Sequence, residues 1–477
     1  MSAHQPSGRA PAPAEFPHPY PRRIYPLSVK DLSPEQVAVV FAMTSRRPEP
    51  FDKIAEQVTE TRASEFHEKW VLGYGHASVA EHAVLHFAVE NISRLACDAL
   101  EDNRLASYTE KSSRFQVLPP DAFFVPPELQ ERPDLRREFI QACQALFEAY
   151  QRLVPACVEY LRKVRPPLQG ERESAYTLRL RREATDSCRF LLPSATLTNV
   201  GVTMNARTLE HAITKLLSSD LQEEREIGQA LKEQARRITP TLVKYADASP
   251  YVQRVARALG QWPSPASPLA EPSSTVRLLW ADPEGEAKVL IALLYPSARQ
   301  PYAQVADAVR RLSQEERRAI FAQVLGSMGD FDRPPRALET ASVALEFVLD
   351  YGAYREFRRH RMQTSIPQPL TADLGYTVPP LVVEAGLEGV FRQAVSRAEE
   401  AWAKVAGWSP RVAAYLVTHA HRRRVLAHMN LREAWHLFRL RTGPQAHFSL
   451  RDVMEQALSL CREQYPAIFA WFKRREG

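Results

Sequence analysis

The sequence predicts an α+β protein built from two tandem domains of common design, and three observations carry that expectation. At 477 residues the chain is longer than one ordinary core requires, and two domains of roughly 150–250 residues are expected. A stretch from Asp247 to Ser274, with Pro250, Pro263, Pro265, Pro268 and Pro272, breaks the patterning and reads as a linker. On either side of it the same order of elements recurs, which points to an internal duplication.

In the first half, HAVLHFAVE sets Ala83, Leu85, Phe87 and Val89 against polar partners, as a half-buried strand does. A helix is expected over Ile92–Arg104, then a polar loop, then a long helix near Phe139–Val164. In the second half, SVALEFVLD alternates Val343, Leu345, Phe347 and Leu349, and a basic helix runs on to Arg361. Each half closes with a helix opened by an Asn-x-Arg step, Asn205-Ala206-Arg207 and Asn430-Leu431-Arg432. The boundaries that follow are a proline-rich tail over 1–22, a domain over 23–246, the linker over 247–274 and a domain over 275–477.

Composition narrows the class of function. Hydrophobic residues make up 45% and charged residues 25% of the chain, as in globular proteins. No apolar run approaches the roughly 20 residues that span a bilayer, and the N-terminus has no signal-peptide pattern, so neither a membrane nor a secreted setting is expected. Five cysteines without CxxC or Cys/His ligand spacing suit free thiols in a cytoplasmic protein and give no metal site. His419, His421 and His428 lack a helical ligand spacing and a carboxylate partner. There is no GxGxxG or GxxxxGK[ST] phosphate loop. A net charge of +6 is mild and suits small anionic ligands. Without an aromatic RNA-binding motif or a zinc finger, no nucleic-acid partner is expected.

The densest polar constellation lies in the first half. Gly75-His76 and Glu81-His82 precede the strand, and Arg104, Ser107, Glu110, Ser112 and Arg114 then fall within eleven residues. Arginine forks donate two bonds to a phosphate, and hydroxyls complete the shell around its oxygens. This region resembles the flavin-dependent thymidylate synthases, whose signature reads RHRxxSxNExSxRY. Arg104, Ser107, Glu110, Ser112 and Arg114 match it; Asp102 and Asn103 stand in place of the first Arg and the His, Thr109 in place of Asn, and Phe115 in place of Tyr. Downstream, Cys188-Arg189-Phe190-Leu191-Leu192-Pro193 is similar to the family's AR-x-x-LP step, and Leu216 falls where a ligand-binding Arg belongs.

The second half departs in a complementary way. Arg359-His360-Arg361 restores the RHR, with Thr364 at the serine position. Ile366, Pro367, Pro369 and Thr371 replace the Asn, Glu, Ser and Arg, Thr340 replaces a His, and Ala414 stands at the phosphate Arg. The stretch NLREAWHLFRLRTGPQAHFSLR resembles a further family segment, with Asn430, Arg432, His436, Arg441 and Ala446 in register.

The resemblance implies two flavin-dependent-thymidylate-synthase-like domains, each an antiparallel sheet with long helices. It implies a dUMP-binding set of Arg104, Glu110, Ser112, Arg114 and Arg189. It implies an FAD-binding set of His82, Ser107, Arg359, His360, Arg361, Asn430, Arg432 and His436. Arg441 would be catalytic, beside the uracil carbonyls. The implied reaction is reductive methylation of dUMP with 5,10-methylenetetrahydrofolate and NADPH, in a composite site shared by the halves. By the same resemblance the chain would pair as a homodimer that mimics a tetramer of single units. Because both signatures are incomplete, a non-catalytic flavin- or nucleotide-binding relative is the alternative.

Overall fold

A computed structural model describes residues 23, 25, 27, 31–45, 47–73, 77–262 and 274–474. The expected proline-rich tail, the Gly75-His76 step and positions 263–273 of the expected linker lie outside the described residues.

Each half is built on an antiparallel sheet. In the first, β1 (Val84–Ser93), β2 (Ala106–Glu110) and β3 (Leu197–Asn205) are ordered β1-β3-β2. In the second, β4 (Val276–Ala281), β5 (Ser342–Asp350), β6 (Thr364–Pro367) and β7 (Arg422–Asn430) are ordered β4-β5-β7-β6. Pro367 is tolerated because β6 is an edge strand, where a missing N–H breaks no ladder. Leu85, Val343, Leu345, Phe347 and Leu349 are buried as their alternation predicts.

Four expectations shift. The polar loop contains β2, since Ala106, Tyr108 and Glu110 turn inward while Ser107 and Thr109 face out, a period-2 pattern in a strand of only five residues. The helix expected over Ile92–Arg104 is shorter, Arg94–Leu100, because Ile92 and Ser93 still belong to β1 and Ser93 caps the helix. The basic helix ends at Phe357, so Arg359, His360 and Arg361 lie past it. Within the linker span, Pro250–Gly260 is a helix capped by Ser249, with no buried residue.

The repeated Asn-x-Arg step has a structural cause. Asn205 and Asn430 are helix N-caps, accepting from Thr208 N and Glu433 N at 2.9 Å each. Arg207 and Arg432 pair with Glu81 and Glu339 of the 3-10 turns at Ala77–His82 and Arg336–Thr340.

The halves meet about an internal two-fold. Ser194 N donates to Val417 O (2.8 Å) and His419 N to Leu192 O (3.0 Å). Ala195 N donates to Tyr415 O (2.9 Å) and Ala420 N to Phe190 O (3.0 Å). Pro193 faces Thr418 at the centre. Such reciprocity, i to j and j to i, is what a two-fold interface produces. The Pro133–Val164 helix packs on the Glu388–Ala406 helix across it, and Phe147, Leu191, Phe391 and Val395 share one apolar core. Counting from the equivalent caps Ser93 and Asp350, the two-fold matches Asp98 with Arg355 and Glu101 with Arg358. Charge is inverted between the copies, and Arg358 reaches across to Asp98 (2.9 Å) and Glu101. Among the described residues no helix is long and apolar enough to cross a membrane, and all five cysteines are free and buried.

Candidate active site

One cleft of about 270 Å³ lies where the halves join, walled by arginines from both. From the first half, Arg114 sits just beyond β2, and Arg189 opens the 3-10 turn that follows the Glu173–Cys188 helix. From the second come Glu356 of the Tyr351–Phe357 helix, Arg359 just after it, and Arg441 in the last turn of the Leu431–Arg441 helix.

Glu356 is the point on which these groups converge. Its Oε1 lies 3.7 Å from Arg114 and 3.6 Å from Arg189, and its Oε2 lies 3.3 Å from Arg441. Burial opposes its charge, but Arg189 and the other guanidiniums outweigh burial and hold its carboxyl below the ordinary range. Asp186 supports the arginines from behind, 2.7 Å from Arg114 and 2.9 Å from Arg189. The Arg189–Asp186 approach is a charge contact without hydrogen-bond alignment, so Arg189 Nη2 and Nε remain buried donors lacking an aligned acceptor. Buried donors in that condition carry a desolvation cost that an aligned acceptor would relieve.

Arg441 is oriented by His360, whose buried Nε2 accepts from Arg441 Nε at 3.0 Å. Burial pushes the His360 pKa down, which keeps that nitrogen available as an acceptor. Glu110 plays a different part. Only 5% of its side chain is exposed, and it lies between Arg94 (2.8 Å) and Arg355. Burial would raise its pKa, but Arg355 and Arg94 prevail and hold it far below the ordinary range. Glu110 therefore fixes two guanidiniums in the wall of the cleft.

The remaining sequence-selected residues are distributed as follows. Ser112 lines the cleft, and its Oγ accepts from Arg114 N at 3.2 Å. Arg359 stands at the rim, 58% exposed, 4.0 Å from Glu110. Arg359 also borders a neighbouring cleft with Tyr108, Thr109 and Arg361, and Tyr108 and Thr109 border a further one with Ser107 on the open face of the first sheet; these two adjoining clefts are together the trough of the first sheet. Arg361 lies over the Tyr108 ring at 5.2 Å and donates to the carbonyls of Asn103 (3.2 Å) and Ala106. His436 is exposed beside His360, ring centres 5.4 Å apart. His82 lies in a separate aromatic cleft with Phe41, Phe66 and Trp70. Arg104 lines another cleft with Gln363 and Thr364. Asn430 and Arg432 serve the helix cap and ion pair described above.

Sequence reasoning missed Arg94, Asp186, Arg355 and Glu356. The available signal was a run of charges, Arg355 and Glu356, inside an otherwise apolar helix turn immediately before the RHR.

Comparison with known proteins agrees with this architecture. The family model of thymidylate synthase complementing protein matches twice, over residues 28–241 and 278–467. A UPF0159 protein of Chlamydia muridarum is 31% identical over 428 residues, 86% of this chain and 81% of its own. A UPF0159 protein of Thermoplasma acidophilum is 26% identical, covering 86% of this chain and 88% of its own. A flavin-dependent thymidylate synthase of Clostridium tetani is 26% identical over 219 residues, 46% of this chain and 84% of its own. Two successive matches on a chain whose halves repeat one fold about an internal two-fold leave a plain assignment: this chain belongs to the thymidylate synthase complementing protein family, as a fusion of two copies of its domain.

Proposed function

We propose that the chain is a flavin-dependent thymidylate synthase working from one composite cleft. The reaction is dUMP plus 5,10-methylenetetrahydrofolate plus NADPH and a proton, giving dTMP, tetrahydrofolate and NADP⁺. The observation that carries this reading is the convergence of Arg114 and Arg189 with Arg441, from opposite halves, on the single carboxylate of Glu356.

In this reading Arg114 and Arg189 clamp the nucleotide phosphate, with Ser112 completing its oxygen shell. Glu356 marks the place where an anion sits among the three guanidiniums and gives way to the substrate. Arg441, held by His360, faces the pyrimidine and stabilises negative charge on its carbonyl as C5 becomes nucleophilic; no protein nucleophile is needed. Glu110 keeps Arg94 and Arg355 in place behind the substrate.

The donor set of the trough suits FAD: Arg359, Arg361 and Ser107 line it and adjoin the nucleotide cleft. Bound there, the flavin would supply the reducing equivalents, drawn from NADPH. His82 does not share that trough, and we place it against a ligand only in a homodimer that brings two chains, and four domains, together in the cytoplasm.

The test is the visible absorption of the purified protein, followed by a dUMP titration and an assay for dTMP with NADPH and the folate donor. A flavin spectrum perturbed by dUMP and turnover to dTMP supports the reading; a colourless protein indifferent to dUMP removes it. A flavin-binding protein that responds to dUMP without turnover would select the non-catalytic alternative, which the losses at Pro367 and Pro369 favour.

A further inference from the structure

We infer that the other side of the internal two-fold carries a second ligand site, built for a nucleoside monophosphate and chemically unlike the first. A cleft of about 590 Å³, walled by both halves, lies there, within the range of small-molecule sites. The two-fold relates its residues to those of the first cleft. Ala414 and Arg189 each precede a member of the reciprocal pair Tyr415 and Phe190. Leu216 and Arg441 stand equally far from the caps Asn205 and Asn430. Ala99 and Glu356 stand equally far from Ser93 and Asp350. The three positions that define the first cleft are therefore apolar in the second, and with Leu95 and Leu370 they give it an apolar lining.

A different set of cations replaces them. Of the carboxylates of this cleft, Asp98 and Glu101 share Arg358, Asp102 pairs with Lys215, and Glu224, whose pKa burial raises, feels the nearby charge of Arg411. Among the described residues, Arg104, Arg361 and Arg423 bond only to neutral oxygens. Arg104 donates to Gln363 O (3.2 Å) and Thr364 Oγ1 (3.1 Å), Arg361 to main-chain carbonyls, and Arg423 to Gln368 O (2.5 Å). Six cations line the cleft (Arg104, Lys215, Arg358, Arg361, Arg411 and Arg423) against four carboxylates (Asp98, Glu101, Asp102 and Glu224), and this excess of two positive charges is one that an anion would neutralise. The wall also holds two acceptors without a donor. Gln363 and Asn103 are 3% and 6% exposed, and their Oε1 and Oδ1 have no partner among the described residues. Their amide nitrogens donate to Phe357 O (3.2 Å) and Leu100 O (2.9 Å), which fixes which end is oxygen. An anionic group for the arginines, N–H groups for the amide oxygens and a flat ring for the apolar lining together describe a nucleotide. The inference rests on the two-fold and the charges, and does not depend on the reaction proposed above.

Calorimetric titration of the full chain with dUMP tests it. Two equivalents per chain are expected. Arg423→Gln, and separately the exposed Arg104→Gln, should each weaken one equivalent about 10-fold and leave the other, while Arg189→Ala does the converse. Binding that R423Q and R104Q both leave unchanged, whether one equivalent or two, overturns the second site. A single equivalent that R423Q and R104Q weaken and R189A does not would uphold it while removing the first cleft as the nucleotide site.

Discussion

Arg189 and Arg441, which belong to opposite halves of the chain, share one carboxylate: Arg189 Nη2 lies 3.6 Å from Glu356 Oε1 and Arg441 Nη1 lies 3.3 Å from Oε2. Their roles in the proposed reaction separate all the same. Arg189 is backed by Asp186 and keeps buried donors without an aligned hydrogen-bond acceptor, whereas Arg441 is fixed by His360. Arg189→Ala should weaken dUMP roughly 10- to 100-fold, the loss of one or two charge-assisted bonds, with the flavin spectrum intact. Arg441→Ala should alter the spectrum and turnover. Indistinguishable effects in parallel titrations would rule out a division of labour between the halves.

Glu110→Gln is expected to act on stability before chemistry. The change leaves Arg94 and Arg355 buried against a neutral amide, a kind of loss that costs roughly 3–5 kcal/mol. Denaturant unfolding should show a lower midpoint. A variant as stable as the parent would mean that the buried pair contributes little.

Acid should expose the same interaction. Folded Glu110 and Glu356 bind protons less readily than in the unfolded chain, where a glutamate titrates near about 4.3. The unfolded state thus takes up protons first as pH falls, so their contribution is complete above that value and is lost progressively below it. Melting temperature measured from neutral pH to about 3 should fall most steeply at the acid end. Glu110→Gln should flatten that slope.

Asn205→Ala and Asn430→Ala should each cost about 1 kcal/mol, the usual loss of a helix N-cap, and the two should add because they lie in different halves. Should Asn430→Ala also release flavin at unchanged stability, that residue would have a ligand as well as a helix to serve.

The duplication was legible because its markers are local. An alternating strand shows its buried face within a few residues, and the Asn-x-Arg step recurs because each copy needs a cap and an ion pair at the same corner. β2 was read as a loop because its five residues, Ala106–Glu110, include no large aliphatic side chain to mark the alternation. The RHR was placed on a helix that stops at Phe357, and nothing local to Arg358 shows that it leaves the helix line to reach Asp98 and Glu101. Asp186 was not legible at all, and Glu356 only as one half of a charged pair in an apolar helix turn. Each is one charge among many until folding brings partners from distant sequence beside it. Of the residues named from family motifs, Arg114, Arg189, Arg359 and Arg441 line one cleft, while His82 and Arg104 line others.

The inverted charges across the two-fold, Asp98 and Glu101 opposite Arg355 and Arg358, have an evolutionary corollary. In an assembly of identical subunits every substitution is inscribed on both faces of the dyad, so matched positions must always carry the same residue. Acid can never confront base there. Joining the copies into one gene lifts that rule, and each arm of the axis may then drift toward its own complement. A pair tuned in this way no longer fits a copy of itself, which makes the fusion hard to reverse.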